Sequence, residues 1–526
     1  MTSPAIPASE PAGSSLAEFD ALENGQKPLR PHRWFTAALA VLLALLVAAR
    51  FVFLQMDAPY TIISSSGAFL TDEGYYTKSA LLFVRFGEWT SDWDIVWRSH
   101  NWLFTVTQAG WMKLLGTSVA VARSLSSVAF VLSIAAFYSI CRTVQTQTIS
   151  LVSCLLAALT LQTFAYSRMA LIEPFGTAFC IGAMWAWVRH GRTAWGPFLS
   201  MLLVACAVWS KVSFVYALVA VVLLNLGEGV VAWRRGERRQ CVVTMVSVAI
   251  VLVTMRFAHA AAMDWAARDG VIFQQWHVTA RADGLNLATT VKNEAKMLFK
   301  LCWETGASSL TCALGFGVLC LMIKGRLRAR MRLGISRATV AMVLWCVGGA
   351  SFFGLFEYQP PRYYFFVMFP IAYCTVMSAR EIVGNRNWRM ACLFLLFLHG
   401  ATQVHGYKRW LMRDELFSYR NTARQVLQKM EFEESGPTIL MGGTSAYVSY
   451  FDERVRPIGY MRHDNLAARL KRWRPRYLLA RESAVAELQP TCPSLVARVV
   501  EIDRYPLLGN YYYGGDHILA EITYLD

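Results

Sequence analysis

The sequence predicts a polytopic α-helical membrane protein of about eleven spans that ends in a small extracytoplasmic α/β domain. Of its 526 residues, 55% are hydrophobic and only 16% are charged, a composition that excludes a soluble globular protein. Apolar stretches recur along residues 34–404 at the roughly 17–25 residues that a spanning helix needs. After residue 404 charged residues return and short apolar runs alternate with turn-forming residues, which indicates a compact α/β domain over 405–526.

The polar, Ser/Pro-rich leader 1–33 precedes the first span and is expected to be disordered in the cytoplasm. The apolar run after it is too long for the core of a cleavable signal peptide. A transmembrane domain is therefore expected over 34–404, with a long outer loop at 57–118. The predicted spans are 34–56, 119–141, 149–167, 171–188, 195–210, 212–232, 241–262, 305–323, 338–356, 363–379 and 389–404.

The formal net charge of +16 follows the predicted topology and does not indicate a nucleic-acid partner. Basic residues collect in alternate loops, as at 233–239 and 324–337, whereas the tail 405–526 has 17 basic and 15 acidic residues. Cytoplasmic loops of membrane proteins carry the excess of Lys and Arg. The N-terminus is therefore expected in the cytoplasm, with loop 57–118 and the C-terminal domain outside the cytoplasmic membrane.

The twelve cysteines lie almost entirely within or beside apolar segments, and only Cys492 lies deep in the C-terminal domain. This distribution predicts no framework of disulfide bridges. No pair has the spacing of metal ligands. The D-x-D spacing at 92–94 is too common in loops to specify a divalent ion, so the sequence predicts no firm cofactor.

An acidic step, Asp72-Glu73, follows the first span at the point where the chain enters the interface. Packing explains a carboxylate pair poorly there, because headgroups and solvent offer no core to specify it. The pair suits an enzyme that deprotonates an acceptor hydroxyl while it takes a sugar from a lipid carrier. The alternative is a helix cap, in which Thr71 or Asp72 begins a helix over 74–86.

Three further charges lie at predicted outer helix boundaries. Arg168 and Glu173 bracket a few apolar residues, and Lys211 interrupts otherwise apolar sequence. A charge within a span costs on the order of 2.5–3.5 kcal/mol, so such residues usually serve a site or a pair. The alternatives are an Arg168–Glu173 ion pair that orients its helix and a lysine that extends to the headgroups.

Arg362 begins a span directly after two prolines and stands beside Tyr363. An arginine binds phosphate through a planar fork of donors, which favours a phosphate contact here. The tyrosines alternatively form an interfacial belt. His100 and His277 are candidate substrate contacts in outer loops, with an ordinary surface histidine as the alternative.

Taken in order, these features resemble the membrane glycosyltransferases of the GT-C superfamily. The similarity covers roughly 34–379 and is greatest to the branch of aminoarabinose transferases and protein O-mannosyltransferases. The matching elements are the Asp72-Glu73 step, the R-x-A-x-x-E-P pattern at 168–174, the Ser210-Lys211 junction and the P-R-Y sequence at 361–363.

The resemblance implies an inverting transfer from a polyprenyl-phosphate-linked sugar to a protein, lipid or polysaccharide acceptor outside the cytoplasmic membrane. It implies Asp72 as the base, assisted by Glu73 or Glu173. The cations that it implies for the donor phosphate are Arg168, Lys211 and Arg362.

The chain also departs from the aminoarabinose transferases, which usually carry a Lys-Pro-Pro motif near the end of the first loop. Here that region reads WRSHNW, at 97–102. The departure weakens transfer of aminoarabinose to lipid A and leaves the acceptor open. A transporter or flippase of lipid-linked or anionic solutes is the alternative function, although the acidic step has no counterpart in the second half, as an internal repeat would require. A membrane scaffold without activity is a third possibility.

Overall fold

The computed structural model of the chain describes eight main ranges, and short pieces between 292 and 318. The described ranges are 33–56, 72–89, 95–268, 336–355, 361–412, 418–459, 466–505 and 517–525. Within some helices the backbone is described but certain side chains are not, among them those of Asp72 and His100. His277, most of the predicted span 305–323 and most of the predicted leader lie outside the described residues.

The first two thirds of the described chain are helical. Two 3-10 turns, Val212–Phe214 and Pro361–Val367, interrupt the helices. The helices are α1 Arg33–Ala48, α2 Asp72–Phe86, α3 Ile95–Leu115, α4 Val119–Cys141, α5 Gln147–Leu159, α6 Leu161–Ser167, α7 Ile172–His190, α8 Gly196–Ser210, α9 Val215–Arg234, α10 Arg238–Arg268, α11 Arg337–Gly354 and α12 Met368–Leu411.

Among the described residues, four helical stretches are long and apolar enough to cross a membrane, or five if a bent pair counts as one span. The four are Val119–Cys141, Val212–Arg234, Arg238–Ala261 and Arg362–Val383. The apolar helices α1, α8 and α11 are shorter. The chain is an integral membrane protein by these helices, and the count of eleven spans stays a prediction.

The predicted span 149–167 is broken into α5 and α6, which meet at an angle of 69°. Thr160 between them has extended backbone, with ψ near 126°. Polar groups of α12 replace the lost helical bonds: the Gln403 side chain accepts from Leu161 N (2.9 Å), and Tyr407 donates to Leu159 O (3.1 Å). The break depends on residues some 240 positions later, so the local sequence does not show it.

Helix α12 folds back on itself. Val376 and Cys392 line one small cavity with Ile149 of α5, although a straight helix would separate them by about 24 Å. The turn before α12 contacts α6, and Gln403 near the other end of α12 bonds to Leu161 of the same short helix. The two arms correspond to the predicted spans 363–379 and 389–404.

The C-terminal part is a five-stranded mixed sheet with helices. Strand order is β2-β1-β3-β5-β4, in which β1 runs parallel to β2 and β3 while β5 is antiparallel to β3 and β4. Gly442 after β1 has φ +154°, and a Cβ there would lie 2.0 Å from Leu479 O, so only glycine fits. The elements are α13 Ser418–Lys429, β1 Thr438–Met441, α14 Ser445–Ser449, β2 Val455–Ile458, α15 Leu466–Trp473, β3 Tyr477–Arg481, α16 Glu482–Thr491, β4 Val496–Tyr505 and β5 His517–Tyr524.

This domain, residues 418–525, which we call the outer domain after its predicted location, packs directly on the membrane helices. One apolar cluster joins Leu81 of α2 and Met112 of α3 to Val426, Tyr447 and Val448 of the outer domain. Helix α2, which begins at the acidic step, is therefore enclosed between the helical bundle and the sheet domain. This placement puts the first residues of α2 at the junction of the two parts of the chain.

Candidate active site

The second residue of the acidic step, Glu73, forms a buried bidentate ion pair with Arg123 of α4. Arg123 Nε lies 2.9 Å from Glu73 Oε1, and Arg123 Nη2 lies 2.8 Å from Oε2. Ala170 N also donates to Glu73 Oε1, at 2.5 Å. The Glu73 side chain is fully buried and that of Arg123 is 3% exposed. Both oxygens of Glu73 are thus engaged in holding α2 to α4 and to the segment before α7.

Arg123 also ties down the chain that leaves the first helix. Its Nη1 donates to Leu54 O (2.8 Å) and to Met56 O (2.6 Å). The sequence analysis did not predict a role for Arg123, because 119–141 was interpreted only as a span. The signal was present: a lone arginine inside an apolar span needs a partner.

A second buried cluster brings three predicted residues together. Lys211 Nζ lies 2.6 Å from Glu173 Oε1, and Arg362 Nε lies 3.1 Å from the same oxygen. Glu173 Oε2 is buried and accepts no hydrogen bond from the described residues. One carboxylate between two cations leaves the three side chains with a net charge of about +1.

The local backbone explains why these three residues meet. Lys211 ends α8 in extended conformation (φ −161°), and the 3-10 turn Val212–Phe214 follows it. Gly176 in the first turns of α7 lies against the Phe214 ring, where a Cβ would be only 2.1 Å from a ring carbon. This close approach places the interrupted chain at Lys211 beside the first turn of α7, which carries Glu173.

Aromatic rings connect this cluster to α2. Lys211 Nζ lies 4.2 Å from the centroid of the Tyr363 ring and 5.8 Å from that of Tyr76 in α2. Cations over ring faces are stabilised by the ring quadrupole. Tyr76 follows Glu73 by one turn of the helix, so the two charged clusters share α2 as a neighbour.

Arg168 does not pair with Glu173 but binds backbone carbonyls near the end of the first helix. Its Nη1 donates to Ala49 O (2.6 Å) and its Nη2 to Phe53 O (3.1 Å), so it holds the end of the first helix. Glu173 pairs instead with Lys211 and Arg362, and the alternative of an Arg168–Glu173 ion pair is wrong.

Other predicted residues lie beyond what the structure describes. The backbone of Asp72 is the first residue of α2, in agreement with a helix beginning at the acidic step, but its side chain is outside the described residues. The side chain of His100 and the whole of His277 also lie outside the described residues. Within the described ranges, no three His, Cys, Asp or Glu side chains are grouped as metal ligands would be.

Comparison with known proteins agrees with this architecture. The sequence model of a family described as dolichyl-phosphate-mannose-protein mannosyltransferase matches residues 99–261. No curated protein matches the chain significantly in sequence. The crystal structure of ArnT from Cupriavidus metallidurans bound to undecaprenyl phosphate is similar with a TM-score of 0.58 and 12% identity, covering 91% of this chain and 97% of that chain. The apo form of the same protein gives 0.57 and 13%, covering 92% and 98%.

The structural similarity to ArnT extends over both the helical bundle and the outer domain. This chain has the GT-C fold. The resemblance to the GT-C glycosyltransferases predicted from the sequence is thereby confirmed. The part of the GT-C fold that matches the mannosyltransferase family, 99–261, includes Arg123, Glu173 and Lys211 but neither the acidic step nor Arg362.

Proposed function

We propose that this chain is an inverting glycosyltransferase that moves a sugar from a polyprenyl-phosphate donor to a hydroxyl acceptor on the extracytoplasmic face of the cytoplasmic membrane. The observation that carries the proposal is the buried cluster of Glu173 with Lys211 and Arg362. Two cations on one carboxylate oxygen, at the ends of apolar helices, form a site of net positive charge. Such a site suits a phosphate that enters from the membrane.

The donor phosphate is assigned to Lys211 and Arg362. When the sugar leaves, the phosphate oxygen gains negative charge, and cations placed beforehand stabilise it most in the transition state. The ammonium group offers three donors and the guanidinium group a planar fork. The ArnT structure that shares this fold holds undecaprenyl phosphate, which supports a lipid phosphate as the ligand.

Asp72 is the proposed base. Glu73 is less suited to the role, because Arg123 and Ala170 N engage both of its oxygens. Glu173 lies between Lys211 and Arg362, which both donate to its Oε1. In the proposed step Asp72 takes the proton of the acceptor hydroxyl, the acceptor oxygen bonds to the anomeric carbon, and the bond from that carbon to the phosphate oxygen breaks, which releases polyprenyl phosphate.

The test is release of polyprenyl phosphate in proteoliposomes from a panel of polyprenyl-phosphate sugars, with an envelope extract as the source of acceptor. Asp72→Asn is expected to lower the rate of release by about 10²–10⁴-fold, the usual contribution of a general base. Its protein level and its thermal unfolding midpoint should match those of the native protein.

Glu237→Gln is the matched control, since this carboxylate is exposed in the turn between α9 and α10. It is expected to retain the native rate. Near-native release by Asp72→Asn would remove the base assignment, and no release from any donor by the native protein would remove the function itself. The comparisons do not favour the transporter or flippase alternative.

A further inference from the structure

Helix α2 is buried between two parts of the chain that are distant in sequence. Tyr76 packs into the core of the membrane helices, whereas Ala80 and Leu81 belong to the apolar cluster that the membrane helices share with the outer domain. The described side chains between Glu73 and Leu82 are at most 4% exposed. A helix enclosed in this way takes its position from both surfaces.

Arg85, in the last turn of α2, links three segments with one guanidinium group. Its Nη1 donates to Ser449 O (2.5 Å) and to Asp452 O (3.2 Å) of the outer domain. Its Nε and Nη2 donate to Thr117 Oγ1 (3.2 and 3.0 Å), immediately before α4. A lysine has no planar fork and cannot make these contacts together.

Tyr450 of the outer domain lies against the first half of α2, whereas Arg85 lies in its last turn. Its ring packs in the apolar cluster that contains Ala80 and Leu81 of α2, and its buried hydroxyl lies near the Thr77 side chain. Burial raises the pKa of Tyr450, so the hydroxyl stays protonated and neutral. Thr77 in turn donates to Glu73 O (2.7 Å), which places the outer domain one helical turn from the acidic step.

Arginines therefore fix one end of α2 to α4 and the other end to the segment directly before α4. The second of these links includes the outer domain. Arg123 of α4 holds Glu73 at the start of α2, and Arg85 at its end holds Thr117. Arg456 also pairs with Glu88, just after α2.

We propose that the outer-domain segment 445–456 positions α2 for the transfer reaction, with Arg85 and Tyr450 as positioning residues that set the placement of the Asp72-Glu73 step. The proposal deepens the proposed function and rests on it. The proposed donor cations Lys211 and Arg362 take their position mainly from Glu173 of α7, with which both are paired, and Lys211 meets α2 at the more distant ring of Tyr76. A displaced α2 should therefore slow the chemical step and leave donor binding unchanged.

The experiment compares the native protein with Arg85→Lys and Tyr450→Phe in lipid nanodiscs. Hydrogen exchange of the α2 backbone amides is expected to accelerate by about tenfold, because local opening becomes easier. In the release assay kcat is expected to fall by about tenfold, since small displacements of reacting groups are costly. The KM for the donor and the thermal unfolding midpoint should stay within about twofold and a few degrees of the native values.

Matched controls come from the same domain. Arg476 bonds to Glu431 and Glu521, and Tyr477 accepts from Glu431 N, all within the outer domain. Arg476→Lys and Tyr477→Phe are expected to leave α2 exchange and kcat at native values. Native α2 exchange in Arg85→Lys and Tyr450→Phe, or equal effects of the controls, would overturn the proposal.

The two readouts separate this proposal from the function on which it rests. Faster α2 exchange in a protein that releases no lipid phosphate from any donor would support the mechanical link and refute the proposed function. A rise in donor KM that accounts for the whole loss of rate would place the effect at the donor cations and refute the positioning role.

Discussion

Glu173 holds two cations that would otherwise lie near each other in a buried site with like charge. Removing one partner of a buried ion pair typically costs about 3–5 kcal/mol, because the remaining charge has no compensation. Here the carboxylate has two partners, so its removal creates a site with two unmatched positive charges. An incoming phosphate can supply the negative charge that the carboxylate provided.

Glu173→Gln is therefore expected to bind free undecaprenyl phosphate about tenfold more tightly, which corresponds to about 1.4 kcal/mol. Equilibrium binding to the purified protein measures this. Product release should slow by a similar factor, and turnover should fall.

Glu228→Gln is the control for that variant. Glu228 also lies near two arginines, at 2.9 Å from Arg192 and 3.6 Å from Arg337, but in another part of the bundle. Its substitution should not change lipid-phosphate affinity. An unchanged affinity in Glu173→Gln together with lost turnover would instead assign Glu173 to the chemistry.

At this scale the sequence predicted the second cluster better than the first. Glu173, Lys211 and Arg362 each interrupt apolar sequence at a helix boundary, and boundaries on one side of a membrane meet in space. The partner of Glu73 was not predicted, because Arg123 lies within a span and fifty residues away. The alternative of an Arg168–Glu173 ion pair was wrong. Arg168 instead binds backbone carbonyls, and such acceptors leave no mark in the sequence.

At the scale of elements, the contact between α7 and the 3-10 turn decides the position of Lys211. Phe214 fills the space beside Gly176, and the turn brings Lys211 toward Glu173. A methyl group in that space forces the turn away from α7, because overpacking a core typically costs about 1–3 kcal/mol.

Gly176→Ala is expected to lower the thermal unfolding midpoint and to weaken binding of undecaprenyl phosphate, both measured on the purified protein. Gly182→Ala in the same helix is the control, since its new Cβ would lie 3.4 Å from Leu203 Cδ1, an ordinary contact. Alanine is favoured over glycine in a helix by about 1 kcal/mol, so this control should be neutral or stabilising. Equal losses in both variants would show that helix α7 tolerates no alanine and that the turn is not the cause.

Periodicity and length predicted most of the helices, and the reasons for the failures are physical. The break between α5 and α6 depends on polar side chains of α12, which local patterns cannot report. The outer domain was predicted as α/β from its alternating runs, but the order of its strands follows from long-range pairing.

At the scale of the whole molecule, charged clusters lie at both ends of α7. Glu173 lies in the first turn of the helix, and Arg192, which pairs with Glu228, lies two residues beyond its last residue. Helix α7 has 19 residues and is about 28 Å long, close to the roughly 30 Å of a bilayer core. The two clusters thus fit the two interfaces, with the outer domain on the side of Glu173.

This arrangement predicts the result of labelling with a maleimide that does not cross membranes. Ser435→Cys, exposed in the outer domain, should react in intact spheroplasts, and Glu237→Cys, exposed beyond α9, only after permeabilisation. The native chain, labelled in parallel, gives the background reaction of the maleimide with the protein's own cysteines. The opposite pattern would reverse the proposed orientation and place the active site in the cytoplasm.

The ion pairs of the site also have a consequence for synthesis of the chain. Each of these residues is synthesised before its partners. Glu73 precedes Arg123, and Glu173 precedes both Lys211 and Arg362. Arg85 precedes Ser449 and Asp452 by more than 360 residues. A nascent chain therefore carries its acidic step into the membrane long before Arg362, the second cation proposed for the donor phosphate, leaves the ribosome. Under the proposed function, chains that end before residue 362 are expected to transfer no sugar, because they lack the second cation proposed for the donor phosphate.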